Sequence, residues 1–199
     1  MPRVSKSSSR RARPSPYSYR LSGLLVTIVV LVVSTVVLTS YARANRIPEN
    51  TGGPSVPTVT RIPSLGLNVP TISIVEQGAV LDPPSDPQHA GWWAGGALPG
   101  SNAGSVLITA HKLHGGGGAF DTLGQVKRGA LVTVDTKAGV QNYEVVSIDH
   151  YDRHEFAEES PDLFRTDDKH RLVLITCYDW NGDDWNGNTV VIARATNNT

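Results

Sequence analysis

One cysteine and six histidines are the side chains of this 199-residue chain best suited to nucleophilic or proton-transfer chemistry. Cys177 follows the apolar run 171–176 and precedes the polar, turn-prone stretch 178–188. A lone cysteine has no partner within its own chain, which leaves a spare buried thiol, a link between chains, or a reactive nucleophile. At the end of a strand and beside a loop, a thiol is fixed by the sheet and still open to substrate; a cysteine packed as a small hydrophobe fits the same position. The thiolate is the nucleophilic form, so the nucleophile reading needs a base or cation nearby, and histidine is the usual choice. His111 ends another run of the same apolar character, 104–110, and opens into a glycine loop at 115–118. If the two runs are neighbouring strands, Cys177 and His111 emerge at one sheet end. His89, His114, His150, His154 and His170 are read as ordinary surface residues.

The elements that must hold such a pair are short and rich in β-branched residues: 58–62, 71–75, 105–110, 130–136, 142–149, 172–176 and 189–193. Gly78, Pro83-Pro84, Pro99-Gly100, Lys137-Ala138-Gly139 and Asn186-Gly187 punctuate them as turns. Seven or more strands in the region 58–199 predict a mainly β barrel or sandwich. Only brief helices fit, at 118–123 and 156–162, and a region of this size buries an adequate core without disulfides.

The neutral total of 18 basic and 18 acidic side chains hides two opposed segments. Residues 1–41 hold six basic side chains and no acid, so the remainder is net acidic by six. An acidic folded region argues against nucleic acid as a partner. Residues 21–42 carry no charge, and as a helix they would span about 33 Å, enough to cross the hydrocarbon core of a bilayer. They are expected to be a transmembrane helix in contact with lipid, with residues 1–20 as a basic cytoplasmic tail, 43–57 as a linker and 58–199 outside the cell. The competing expectation is a cleaved signal peptide ending near Ala42-Arg43-Ala44; it exports the same region.

The segment Leu172-Val-Leu-Ile-Thr-Cys177 resembles the nucleophile strand of sortases, and Ser105-Val-Leu-Ile-Thr-Ala-His111 resembles their histidine strand. Arg61-Ile-Pro-Ser-Leu-Gly-Leu-Asn-Val-Pro70, Gly91-Trp-Trp-Ala-Gly-Gly96, Phe120-Asp-Thr-Leu123 and Asn188-Thr-Val-Val-Ile-Ala193 add further likeness, so that the similarity covers 58–196. The opening Arg-Ile-Pro and Gly-Trp segments are most similar to the class F group of actinobacterial sortases, with class E beside it. The resemblance implies an eight-stranded β-barrel with short helices and a membrane-tethered cysteine transpeptidase. It further implies that Cys177 attacks the Thr-Gly bond of a Leu-Pro-any-Thr-Gly sorting signal and forms a thioacyl enzyme. A cell-wall precursor or other amine then accepts the acyl group, with His111 as general acid and base. No cofactor and no metal are implied. Hydrolysis of the same signal by a thiol peptidase, or a non-catalytic binding module on the same barrel, are the competing readings.

One departure stands out. Sortases carry an arginine on the final strand, and the resemblance places Asn188 at that position. Arg194 is on the same face of an unbroken strand but about 20 Å further along, so the third role falls to either Asn188 or Arg194. Arg165 and Arg171 are further cations that nothing in the sequence places near Cys177. The oxygen side chains of 179–184 suit calcium in type, but an EF-hand loop begun at Asp179 needs Gly at 184 and Glu at 190, where the chain has Asp184 and Val190. A solvated turn is expected there, with Trp180 and Trp185 flanking a substrate groove and Trp92 and Trp93 in the core.

Overall fold

The computed structural model describes residues 29–35, 37, 38, 49–78 and 80–196. The chain divides into two units, Met1–Arg46 and Ile47–Thr199. In the first, residues 29–35, 37 and 38 are helical and their valine and leucine side chains are exposed. Ser34 Oγ donates to the Val30 carbonyl at 2.7 Å and Thr35 Oγ1 to the Val32 carbonyl at 2.9 Å, so both hydroxyls have partners on the helix itself. No helix among the described residues is long and apolar enough to cross a membrane. The rest of the expected span 21–42, the tail 1–20 and linker residues 43–48 lie outside the described residues.

The second unit is an eight-stranded closed barrel. Its strands are β1 (Pro57–Ile62), β2 (Leu67–Ile74), β3 (Ala90–Trp93), β4 (Ser105–Ala110), β5 (Leu131–Thr136), β6 (Gly139–Asp152), β7 (Arg171–Trp180) and β8 (Trp185–Ala195). They close in the order β1-β2-β3-β4-β7-β8-β6-β5. Closure leaves no free sheet edge. The β2–β3 and β4–β7 pairs are parallel and every other pair is antiparallel.

The continuous apolar runs of β4 and β7 exist because both strand faces are covered. One face, with Val106, Ile108, Leu172, Leu174, Val191 and Ala193, fills the barrel interior around Tyr143, Phe120 and Leu123. The opposite face, with Leu107, Val173, Ile175 and Val190, packs under Leu163 of α1 (Arg153–Leu163). That helix begins earlier than the expected 156–162 because Asp152 accepts from the His154 and Glu155 backbone N–H groups while Glu155 bonds back to the Asp152 N–H. Pro161 sits inside α1 and donates no N–H. The Ala157 carbonyl it leaves short of a donor accepts from Ser160 Oγ at 3.0 Å instead.

The expected helix at 118–123 is absent: two tight turns precede a 3-10 turn at Leu123–Gln125. The expected turn at Asn186-Gly187 is strand, because β7 and β8 continue to a cross-strand Trp180–Trp185 pair, rings edge to face at 5.3 Å. The chain reverses at 181–184, where Asn181 Oδ1 accepts from the Asp183 and Asp184 N–H groups. His170 is not an ordinary surface residue: it is half-buried, and its Nε2 lies 3.1 Å from the buried Tyr143 hydroxyl.

Candidate active site

Parallel pairing carries the C-terminal ends of β4 and β7 to the same rim of the barrel. Their register runs from Ser105 opposite Arg171 to Thr109 opposite Ile175. It continues past the strand end, where Thr176 Oγ1 donates to the Ala110 carbonyl at 2.9 Å. One step further, the same register sets His111 beside Cys177. On the other side of β7, Cys177 is the register partner of Asn188 in β8. Cys177 and Asn188 thus sit side by side on β7 and β8, on the face that carries Ile175 and Val190, while His111 is the first residue after β4. Neighbouring strands in a sheet are about 4.8 Å apart, which sets the spacing of Cys177 and Asn188.

Cys177 and Asn188 line a cleft of about 610 Å³ whose walls include Leu81, Leu107, Phe156, Pro161, Phe164 and Ile175. The walls come from the segment before β3, from the outer face of β4 and β7, and from α1. The thiol is free and partly exposed. Burial against these walls pushes its pKa up, and the Asp184 carboxylate adds to the rise. The Lys112 ammonium and a hydrogen bond from the Lys112 backbone N–H act in the opposite direction.

The segment after β4 is held at several points. Asp121 accepts from the Leu113 N–H at 2.8 Å and from the Gly118 N–H at 3.0 Å, while the Phe120 N–H donates to the His111 carbonyl at 3.0 Å. Gly118 makes this closure possible, since a Cβ there would lie 2.5 Å from both Asp121 Oδ1 and the His111 carbonyl oxygen. His114 stacks on Trp180 with ring centroids 4.9 Å apart, and Lys112 Nζ sits 5.5 Å from the centroid of the Trp185 ring. These tryptophans therefore clasp the histidine-bearing segment and do not line the cleft.

Arg194 is elsewhere. It pairs in register with Glu144 and lines a separate pocket with Ser101, Asn102, Lys169 and His170, toward the opposite end of β8. Arg171 bonds Ser105 and Asp162, and Arg165 bonds Asp167, so neither is directed at Cys177. Sequence reasoning missed Lys112 and Asp121. Lys112 had one legible signal, its position immediately after His111, while Asp121 lay within a quoted motif but had no role until the loop was seen folded around it.

Residues 60–196 match the family model described as the sortase domain. The chain belongs to the sortase family. Sortases are cysteine transpeptidases, and solved sortase structures share this barrel. Sortase C-1 from Actinomyces oris matches with a TM-score of 0.57 and 21% identity, over 70% of this chain and 73% of that one. A lid mutant of sortase A from Corynebacterium diphtheriae matches with a TM-score of 0.56 and 20% identity over 73% of each chain. Sortase C2 of group B Streptococcus pilus island 1 matches with a TM-score of 0.55 and 23% identity, over 79% of this chain and 80% of that one. No curated protein matches the sequence. At such identities these sortases speak for the fold alone. Among the described residues, no cluster of three or more His, Cys, Asp or Glu side chains is arranged to hold a metal ion.

Proposed function

We propose that this sortase is a membrane-anchored transpeptidase of the class F or class E group, acting on a Leu-Pro-any-Thr-Gly type of sorting signal outside a Gram-positive cell. The observation that carries the reading is the Cys177–Asn188 pair lining an apolar cleft, with His111 following the strand paired to that of the cysteine. The cleft accepts an extended apolar peptide, and its floor presents the thiol to the scissile carbonyl. Cys177 Sγ passes its proton to His111 and bonds to the carbonyl carbon of the signal threonine. The carbonyl oxygen takes up negative charge, toward which the Asn188 amide directs an N–H. Collapse of this intermediate breaks the Thr-Gly bond, and His111 protonates the departing glycine amine. An amine of a cell-wall precursor, or another envelope amine, attacks the thioester and passes its proton to His111, which restores the thiol.

The helical, apolar stretch within 29–38, with its hydroxyls bonded to its own backbone, supports a membrane anchor at 21–42. The net basic residues 1–20 are then cytoplasmic and the barrel extracellular.

Mass spectrometry of the full chain with a sorting-signal peptide tests the reaction. The expected result is a covalent adduct on Cys177 that is absent in Cys177→Ala and is discharged by added amine to a transpeptidation product. Discharge to free acid alone, unchanged by amine, would make the protein a thiol peptidase. A folded chain that forms no adduct with any signal variant would make it a binding module.

A further inference from the structure

The described cations near the site are already committed, with one exception. The Arg153 guanidinium bonds the Trp185 carbonyl and pairs with Asp184. Arg171 and Arg165 are held by Asp162 and Asp167, and Arg194 lies toward the other end of β8. Lys112 makes no ion pair among the described residues, and its ammonium rests over the indole of Trp185. Its backbone N–H reaches the Cys177 sulfur. Trp185 belongs to the strand paired with the cysteine strand, so the same hairpin carries the thiol and the surface on which the ammonium lies.

We propose that Lys112 is the active-site cation of this chain, held on Trp185 beside Cys177, where it stabilises the thiolate. The inference rests on Cys177 being the nucleophile. An indole face restricts the position of an ammonium, because the ring's negative face attracts it. Charge at this point favours the anionic sulfur by simple Coulomb attraction.

The charged groups that act on the thiol or line its cleft come from several elements: Lys112 after β4, next to His111 in sequence, Asp184 from the hairpin with Arg153 paired to it, and Asp82 at the cleft wall. The residues of α1 that line the cleft are Phe156, Ala157, Ser160 and Pro161, none of them titratable. Removing a cation disfavours the thiolate, so the pH of half-ionisation rises; removing the Asp184 carboxylate lowers it.

The test is the rate of iodoacetamide alkylation against pH, with the full chain in detergent micelles at low and high salt. The only cysteine gives an unambiguous signal. In Lys112→Met the midpoint is expected to rise by about half a pH unit, with alkylation about threefold slower at neutral pH, the scale of one nearby charge in partly aqueous surroundings. Lys112→Arg should restore the parental midpoint, Asp184→Asn should lower it, and high salt should shrink the gap between the parent and Lys112→Met. A Lys112→Met titration that overlays the parent at low salt overturns the proposal, as does a shift that Lys112→Arg fails to restore. Alkylation reads the thiol and needs no sorting signal, so a failure here is separate from a failure of the transpeptidase reading.

Discussion

Replacing Leu163 by alanine asks whether α1 is a rigid wall of the cleft or one held at a single point. Leu163 is the one buried residue of that helix, 2% exposed, and it packs on Leu107, Val173, Ile175 and Val190. Otherwise α1 contributes only the half-buried Phe156, with Phe164 at its C-terminal cap. Burying a leucine stabilises by about 1.5–3 kcal/mol, so this side chain supplies much of what docks the helix. Truncating a leucine in a closed core costs about 2–5 kcal/mol because the cavity cannot collapse. A helix with one buried apolar anchor, tied otherwise by the partly exposed Arg171–Asp162 and Arg153–Asp184 pairs, has another outcome available: it leaves the barrel surface, and the loss is capped at its docking free energy. Leu163→Ala should therefore lower barrel stability by only about 1–2 kcal/mol, whereas Leu174→Ala in the barrel interior should cost the full range. In the same variant, amides of 153–163 should lose protection from hydrogen exchange while those of β4 and β7 keep most of theirs. The apparent KM for a sorting-signal peptide should rise about tenfold or more, the equivalent of about 1.4 kcal/mol of lost wall contact. Urea denaturation, exchange mass spectrometry and peptide kinetics read the three quantities. Equal losses in Leu163→Ala and Leu174→Ala, with α1 still protected and KM unchanged, would refute the single-anchor argument.

Two other substitutions probe the hairpin and the third role. A Cβ at position 187 would lie 2.0 Å from the Tyr151 carbonyl oxygen and 2.9 Å from Asp152 Cα, so Gly187→Ala should force β8 away from β6 and cost about 1–3 kcal/mol in urea unfolding. Because Gly187 adjoins Asn188, turnover in that variant should fall even at temperatures where it remains folded. Asn188→Ala should lower kcat about a hundredfold, as loss of an oxyanion donor does. Arg194→Ala should leave kcat within about twofold, as a surface change remote from the cleft does; the reverse order would put the third role on Arg194.

The strands around the candidate site were legible because β4 and β7 begin as uninterrupted apolar runs, one followed by His111 and the other by Cys177. What the runs do not encode is that they pair in parallel, which rests on β5, β6 and α1 crossing between them. β3 was not legible as a strand: Ala90–Trp93 is four residues with a glycine inside, and it is strand because β2 and β4 flank it. The hairpin misled in the other direction. Asn, Asp and Gly between 179 and 187 read as turn, yet Trp180 opposite Trp185 and Tyr178 opposite Gly187 extend the ladder past the barrel rim. Lys112 depends on that extension, since its partner Trp185 reaches it only when residues expected in a turn are strand.

The apolar cleft works against the thiol and in favour of its product. Burial that raises the Cys177 pKa leaves less thiolate at neutral pH, and it does so with the same walls that seat the peptide. A thiolate of higher basicity is the better nucleophile for each molecule ionised, which offsets part of the deficit. In the proposed reaction those walls would hinder water from reaching the acyl carbon of the thioester. The proposed reaction in such a site predicts slow acylation and selective transfer, and the proposed cation is placed where it interferes least. Lys112 sits on Trp185, outside the residues that line the peptide cleft, so its charge reaches the sulfur without adding a polar group to the apolar walls. An arginine at position 188 would bring its charge in on the cleft side instead, since Asn188 shares that lining with Cys177.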